Sequence, residues 1–235
     1  MCGIVGYVGE EAALPILLEG MERLEYRGYD SAGVAIIEDG HIDVVRRAGR
    51  LQELRAALSD QQFTGHLGIG HTRWATHGRP TDRNAHPHLD CTGTVAVVHN
   101  GIVENHDLLR TSLVEEGHTF RSDTDTEVVA HLLESLMATG LSLREAVLEV
   151  VARLEGAFAL VCISVSEPDS IVVARQEPPI IVGATADAGF VGSDIPALLS
   201  YTRDVVPLAN RQVAEVKPGS VRIFEFDGTE RKPEA

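Results

Sequence analysis

The chain has 235 residues, 44% hydrophobic and 23% charged, the balance of a soluble globular protein long enough to bury one large core. Its 35 acidic and 20 basic residues leave a formal charge of −15, which repels phosphate backbones and anionic lipid, so neither nucleic acid nor a membrane surface is an expected partner. Three irregularly spaced cysteines (Cys2, Cys91, Cys162), no apolar run near the roughly 18 residues of a membrane span, and no signal-peptide pattern predict a cytoplasmic protein without a disulfide framework.

The predicted elements begin almost at the N-terminus. Residues 4–8 are β-branched and flanked by Gly3 and Gly9, which predicts a buried strand. Leu14, Leu17, Leu18, Met21 and Leu24 make a helical stripe over 12–26, with Pro15 tolerable only in its first turn. Residues 33–38 and 41–46 read as strands joined by the hairpin pair Asp39-Gly40, and 51–58 as a short helix. Two more strands are expected at 67–71 and 94–99, separated by a polar stretch. Asn105 is placed to cap a helix ending at Gly117. Thr124-x-x-Glu127 and Ser142-x-x-Glu145 read as capping boxes opening helices to about Ala138 and to Leu154. Seven strands follow, at 157–165, 171–175, 180–183, 189–192, 205–209, 212–216 and 221–226, and the polar end of the chain reads as a tail or linker. Strands that supply sheets, with amphipathic helices in pairs, predict an α+β layered sandwich.

Four clusters could carry chemistry. Cys2 becomes residue one if Met1 is removed, and the freed α-amine, with a pKa of roughly 7.7–8.0, could then take the thiol proton. Gly3 is expected to leave room for a substrate; taken alone, Cys-Gly fits a buried core cysteine better. In the segment from His71 to Gly78, Arg73 offers a planar fork for a carboxylate and Thr76 a hydroxyl, although a surface loop is an equal reading. Asn100-Gly101 could form a two-donor oxyanion hole, while an ordinary turn is favoured without context. Asp125 suits either a helix dipole or a ligand ammonium. His86, His88, Asp90 and Cys91 lie close together but lack a zinc spacing, so no metal site is expected. No glycine-rich phosphate loop occurs, and no cofactor is expected.

Together, Cys2-Gly3-Ile4-Val5-Gly6, the stretch from Leu24 to Gly33, the His71–Gly78 cluster, Asn84-Ala85-His86-Pro87-His88, His99 to His106 and Thr124-Asp125-Thr126-Glu127 resemble the glutaminase halves of the glutamine–fructose-6-phosphate aminotransferase family. These belong to the class II amidotransferases with an N-terminal nucleophile. The resemblance implies a four-layer αββα sandwich over residues 2–225, with 226–235 a tail or the start of a linker. It makes Cys2 the nucleophile, its α-amine the base, and Asn100 with the Gly101 N–H the oxyanion hole. Arg73, helped by Thr76 and His77, would hold the α-carboxylate of L-glutamine, and Asp125 its α-ammonium. Trp74 would gate the ammonia route, and Arg27 and Asp30 would support the site from below. Enzymes that make phosphoribosylamine share the Cys-Gly-Ile start but typically carry Tyr where Trp74 stands, and rank second. The family's sugar-isomerase half, which receives ammonia and makes glucosamine 6-phosphate in a homo-oligomeric enzyme, is absent from this sequence. The domain alone is therefore expected to hydrolyse glutamine to glutamate but not to aminate fructose 6-phosphate.

Overall fold

The computed structural model describes residues 2–74 and 79–232. Strand β1 (Gly3–Gly9) is followed by α1 (Ala13–Arg23), a 3-10 turn (Glu25–Arg27), β2 (Ser31–Glu38), β3 (His41–Ala48), α2 (Leu51–Leu58) and β4 (Leu67–Arg73). The middle of the chain supplies β5 (His88–Leu89), β6 (Val95–Val103), α3 (His106–Glu115), α4 (Glu127–Met137) and α5 (Leu143–Val151). The remainder is β7 (Gly156–Ser164), β8 (Ile171–Gln176), β9 (Ile181–Ala184), β10 (Ala188–Gly192), β11 (Val205–Pro207), β12 (Gln212–Lys217), β13 (Ser220–Glu225) and β14 (Glu230–Arg231).

These strands make two seven-stranded sheets, ordered β11-β9-β10-β1-β4-β2-β3 and β14-β13-β12-β8-β7-β6-β5, with every neighbouring pair antiparallel. Period-2 alternation decides what each face meets. In β1, Ile4 and Val8 enter the core between the sheets, where they join Leu67 and Ile69 and face Val98, Val161 and Val173 of the second sheet. Val5 and Tyr7 point the other way, onto Leu17 and Met21 of α1 and Leu54 of α2. On the outside of the second sheet, Val97, Leu160 and Val172 pack against Val129 and Leu133 of α4 and Val147 and Val150 of α5. The result is a four-layer αββα sandwich, the arrangement that the sequence resemblance implies, with β1 at the middle of its sheet.

Local chemistry explains most of the element boundaries. Asp39 and Gly40 take φ of 47° and 79°, the doubly positive turn that matches strand twist in a two-residue hairpin. Ser142 and Glu145 form the expected capping box at α5. The box expected at Thr124 does not form. The Thr124 hydroxyl contacts His88 Nε2 at 3.0 Å, the Glu127 carboxylate takes the amides of Arg121 and Ser122, and the helix opens later, with Thr126 at its N-cap. Asn105 does stand at the N-cap of α3, but its side chain ties Arg153 O and Glu155 N instead of the helix amides. Asn100-Gly101 is not a turn. Strand β6 runs through it because β7 keeps pairing, Asn100 with Ala159 and Gly101 with Phe158. The polar C-terminal stretch also contributes a strand, with Glu230 paired to Phe224 and Arg231 to Ile223.

Candidate active site

Cys2 stands just before β1, so the position of that strand sets the position of the sulfur. The Trp74 amide donates to Cys2 Sγ at 3.1 Å. The Cys2 carbonyl accepts from Asn100 Nδ2 at 3.0 Å and from Arg27 Nε at 3.3 Å. Three distant segments thus fix one residue. Burial pushes the thiol pKa up, and the Trp74 amide and the Arg73 charge pull it back without cancelling that effect. A sulfur in this setting needs a base to become a nucleophile.

Asn100 is oriented from behind by His71. Nε2 of this wholly buried imidazole lies 3.1 Å from Asn100 Oδ1 and 3.0 Å from the His99 carbonyl. Burial holds the His71 pKa down to about 3, so the ring is neutral, and two acceptors at Nε2 require the proton to be there. The Asn100 carbonyl is therefore turned inward and its NH₂ toward Cys2. Gly101, the next residue, has φ of 131°, and a Cβ there would come within 1.9 Å of the Ala157 carbonyl. Only glycine fits that point of β6.

Opposite charges occupy another part of the cleft. Arg73, at the end of β4, is 4% exposed and Asp125 is 5% exposed. Burial erodes the basicity of Arg73, while the charges of Cys2, Asp125 and Asp30 counter that loss. Asp125 Oδ2 accepts the Val103 amide at 2.8 Å and lies 3.9 Å from His99 Nδ1. Beneath these groups His71 stacks on His86 at 4.4 Å, and both His86 Nε2 and His99 Nδ1 reach Thr126 Oγ1 at 2.9 Å. Burial lowers the pKa of His86, His88 and His99 as well, so a layer of neutral rings underlies the charged groups.

The cleft has a volume of about 520 Å³, and Cys2, Arg27, Arg73, Trp74, Asn100, Gly101 and Asp125 all line it. Arg27 joins the Cys2 carbonyl to Asp194, whose Oδ2 also accepts from the Tyr26 hydroxyl at 2.6 Å. Asp30 is outside the lining; its amide donates to the Arg73 carbonyl at 2.9 Å, bracing that end of β4. Gly28 permits this approach, since a Cβ would stand 2.7 Å from the Arg73 carbonyl carbon. Trp74 is 45% exposed and meets Tyr29 edge-on at 5.5 Å. Thr76 and His77 lie outside the described residues. The space at Gly3 goes to the protein, because Thr72 Oγ1 and Leu24 Cβ sit 2.5 and 2.8 Å from a Cβ built there. His86, His88, Asp90 and Cys91 do not converge: His86 meets Thr126, His88 meets Thr124, and Asp90 takes the amides of Thr94 and Val95.

Sequence reasoning assigned no part to Asp194, His71, His99, Thr126 or the wall formed by Glu177, Pro178 and Pro179. Asp194 precedes Ile195-Pro196 and caps their short 3-10 turn, which is all its local sequence conveys. Its bond to Arg27 spans 167 residues.

A family model for a glutamine amidotransferase domain matches residues 71–200, more than half the chain, from the end of β4 past the Arg27 partner Asp194. The chain belongs to the glutamine amidotransferase domain family. It is 52% identical over 228 residues to glutamine–fructose-6-phosphate aminotransferase [isomerizing] of Aquifex aeolicus, which covers 97% of this chain and 38% of the relative. It is also 52% identical over 230 residues to the same-named protein of Streptomyces coelicolor, covering 97% of this chain and 37% of the relative. The chain thus spans little more than a third of these curated relatives. Among solved amidotransferases, the glutamine phosphoribosylpyrophosphate amidotransferase of B. subtilis superposes with a TM-score of 0.80 at 25% identity, over 96% of this chain and 49% of that one. Among the described residues, no helix is long and apolar enough to cross a membrane.

Proposed function

We propose that this domain hydrolyses L-glutamine to L-glutamate and ammonia through a thioester on Cys2. The observation that carries this reading is the convergence of one sulfur, one oriented amide and two buried opposite charges in a single cleft. Glutamine presents the complementary set: a neutral amide at one end and a carboxylate and ammonium at the other. Arg73 takes the carboxylate, with Thr76 and His77 assisting, and Asp125 takes the ammonium.

The Cys2 α-amine, freed by loss of Met1, accepts the thiol proton as Sγ bonds to the amide carbon. Negative charge builds on the amide oxygen. It is met by the second N–H of Asn100 Nδ2, whose first is held by the Cys2 carbonyl, and by the Gly101 N–H. The protonated Cys2 amine returns the proton to the leaving nitrogen, the C–N bond breaks, and ammonia departs past Trp74. Water then cleaves the γ-glutamyl thioester, with the same amine taking its proton and returning it to sulfur. Arg27 and Asp30 hold the floor, one through the Cys2 carbonyl and the other through the Arg73 backbone.

The names of the relatives, and their greater length, support a destination for the ammonia: a sugar-isomerase domain on the same chain that converts fructose 6-phosphate to glucosamine 6-phosphate. Glutamate release by the 235-residue chain tests the first half of this reading. Protein whose intact mass lacks Met1 should release glutamate, and Cys2→Ala should not. Protein retaining Met1 has no free amine on Cys2 and should be idle. Turnover by Cys2→Ala at the wild-type rate would sink the proposal.

A further inference from the structure

Outside the cleft, Cys91, His118, His131 and Glu134 present one donor atom each, all within 4.8 Å of one another. We propose that these four side chains form a closed site for a divalent cation of the zinc type. Cys91 follows β5, His118 lies in the turn after α3, and His131 and Glu134 stand one turn apart on the same face of α4. The packing of α4 against the second sheet therefore assembles the set.

Three of four donor spacings match such an ion, and the fourth is shorter. Cys91 Sγ lies 3.6 Å from His118 Nδ1 and 3.5 Å from His131 Nδ1. Glu134 Oε2 lies 3.0 Å from His118 Nδ1 and 3.4 Å from His131 Nδ1. Bonds of about 2.0–2.3 Å to a tetrahedral zinc put neighbouring donors roughly 3.3–3.6 Å apart. The outward nitrogens face polar groups. His118 Nε2 meets Ser135 Oγ at 2.8 Å, while His131 Nε2 has no hydrogen-bond partner among the described residues and lies 3.6 Å from Glu127 Oε1, the side from which a carboxylate can orient a metal-bound imidazole. A proton on that nitrogen, facing Glu127, leaves the His131 Nδ1 lone pair aimed into the cluster.

Charge and softness agree with the geometry. One thiolate, one carboxylate and two neutral imidazoles around a doubly charged ion give a neutral site, and Cys91 yields its thiol proton to solvent as sulfur binds. Sulfur and nitrogen donors select against magnesium and calcium, and four protein ligands describe a structural rather than an open catalytic site. The ion would pin the β5 end and the His118 turn to α4, whose first turn carries Glu127 beside Asp125 and Thr126 of the cleft.

The test uses the 235-residue chain, stripped with chelator and titrated with cobalt(II), then with zinc. One cobalt per chain is expected, with tetrahedral visible bands and a thiolate charge-transfer band that zinc removes. Cys91→Ser should lose the charge-transfer band and at least about 100-fold in affinity, while Cys2→Ser keeps both. Ser135→Ala, which removes the hydroxyl beside the outer nitrogen of His118, should weaken binding by about 10–100-fold. Zinc should raise the melting temperature of the stripped wild type and not that of Cys91→Ser. No stoichiometric binding by the folded chain, or a charge-transfer band that disappears with Cys2 and persists without Cys91, would overturn the proposal.

Discussion

Two groups of histidines lie on either side of the start of α4, and they are built for opposite purposes. Beneath the cleft, His71, His86, His88 and His99 are at most 4% exposed, and the ring nitrogens that make hydrogen bonds meet hydroxyls, a side-chain amide and a backbone carbonyl. In the turn after α3 and further along α4, His118 and His131 turn their Nδ1 atoms toward a thiol and a carboxylate. The first group consists of neutral struts that orient Asn100 and Thr126. The second group consists of ligands. What separates them is the chemistry each ring nitrogen faces, because burial is common to His131 and all four struts.

The largest effect is expected at Asn100, which the first group orients. Asn100→Ala should lower kcat for glutamate release by about 10²–10³-fold, the usual cost of losing one oxyanion donor. His71→Phe should reproduce part of that loss with little change in KM, and add nothing in the double variant, if His71 acts only by orienting the amide. Additive losses would show that His71 does something else.

The buried struts also govern stability in acid. His71 and His88 have pKa values pressed to about 3 by burial, against an ordinary value of 6.5 in the unfolded chain. Between those limits the unfolded chain binds protons that the folded chain refuses, so stability is full above pH 6.5 and falls as pH drops. These two rings alone should give a slope approaching about 3 kcal/mol per pH unit. Glu127 acts in a lower window. Burial opposes its ionisation, but nearby His131 and hydrogen bonds from Ser122 and the amides of Arg121 and Ser122 bring it to about 2, so its contribution is lost only below its ordinary 4.5. Denaturant melts from pH 7 to 5 should show the decline starting before carboxylates titrate. A flat profile would mean that the struts carry charge.

The smallest effect belongs to the outer layer. Ser142→Ala removes both the hydroxyl that accepts the Glu145 amide and its own bond to the Glu145 carboxylate, and should cost about 1 kcal/mol in chemical denaturation. Because α5 lines neither histidine group, glutaminase activity and cobalt spectra should be unaffected.

The distance over which an interaction acts decides whether the sequence alone reveals it. The hairpin at Asp39-Gly40, helix α2 and the capping box of α5 depend on neighbours in sequence, and pattern found them. The box at Thr124 failed because His88 and Ser122 claimed the threonine hydroxyl. Asn100-Gly101 looked like a turn because its strand pairing with β7 lies more than 50 residues away. In the cleft, motif order flagged Cys2, Arg73, Asn100 and Asp125, but Asp194 and the role of His71 emerged only from contacts across the fold. In sequence Cys91 stands nearest His86 and His88, which do not approach it. Its spatial neighbours come 27, 40 and 43 positions later, a spacing that no short motif encodes.

In the proposed reaction the sulfur of Cys2 attacks glutamine, while Cys91 and Cys162 do not. A glutamine analogue carrying an electrophile in place of its side-chain amide tests this directly when labelled protein is digested and mapped. One label per chain is expected, on Cys2, prevented by excess glutamine and lost on Arg73→Gln. Labelling on Cys91 or Cys162, or labelling of Cys2 that glutamine does not slow, would contradict it.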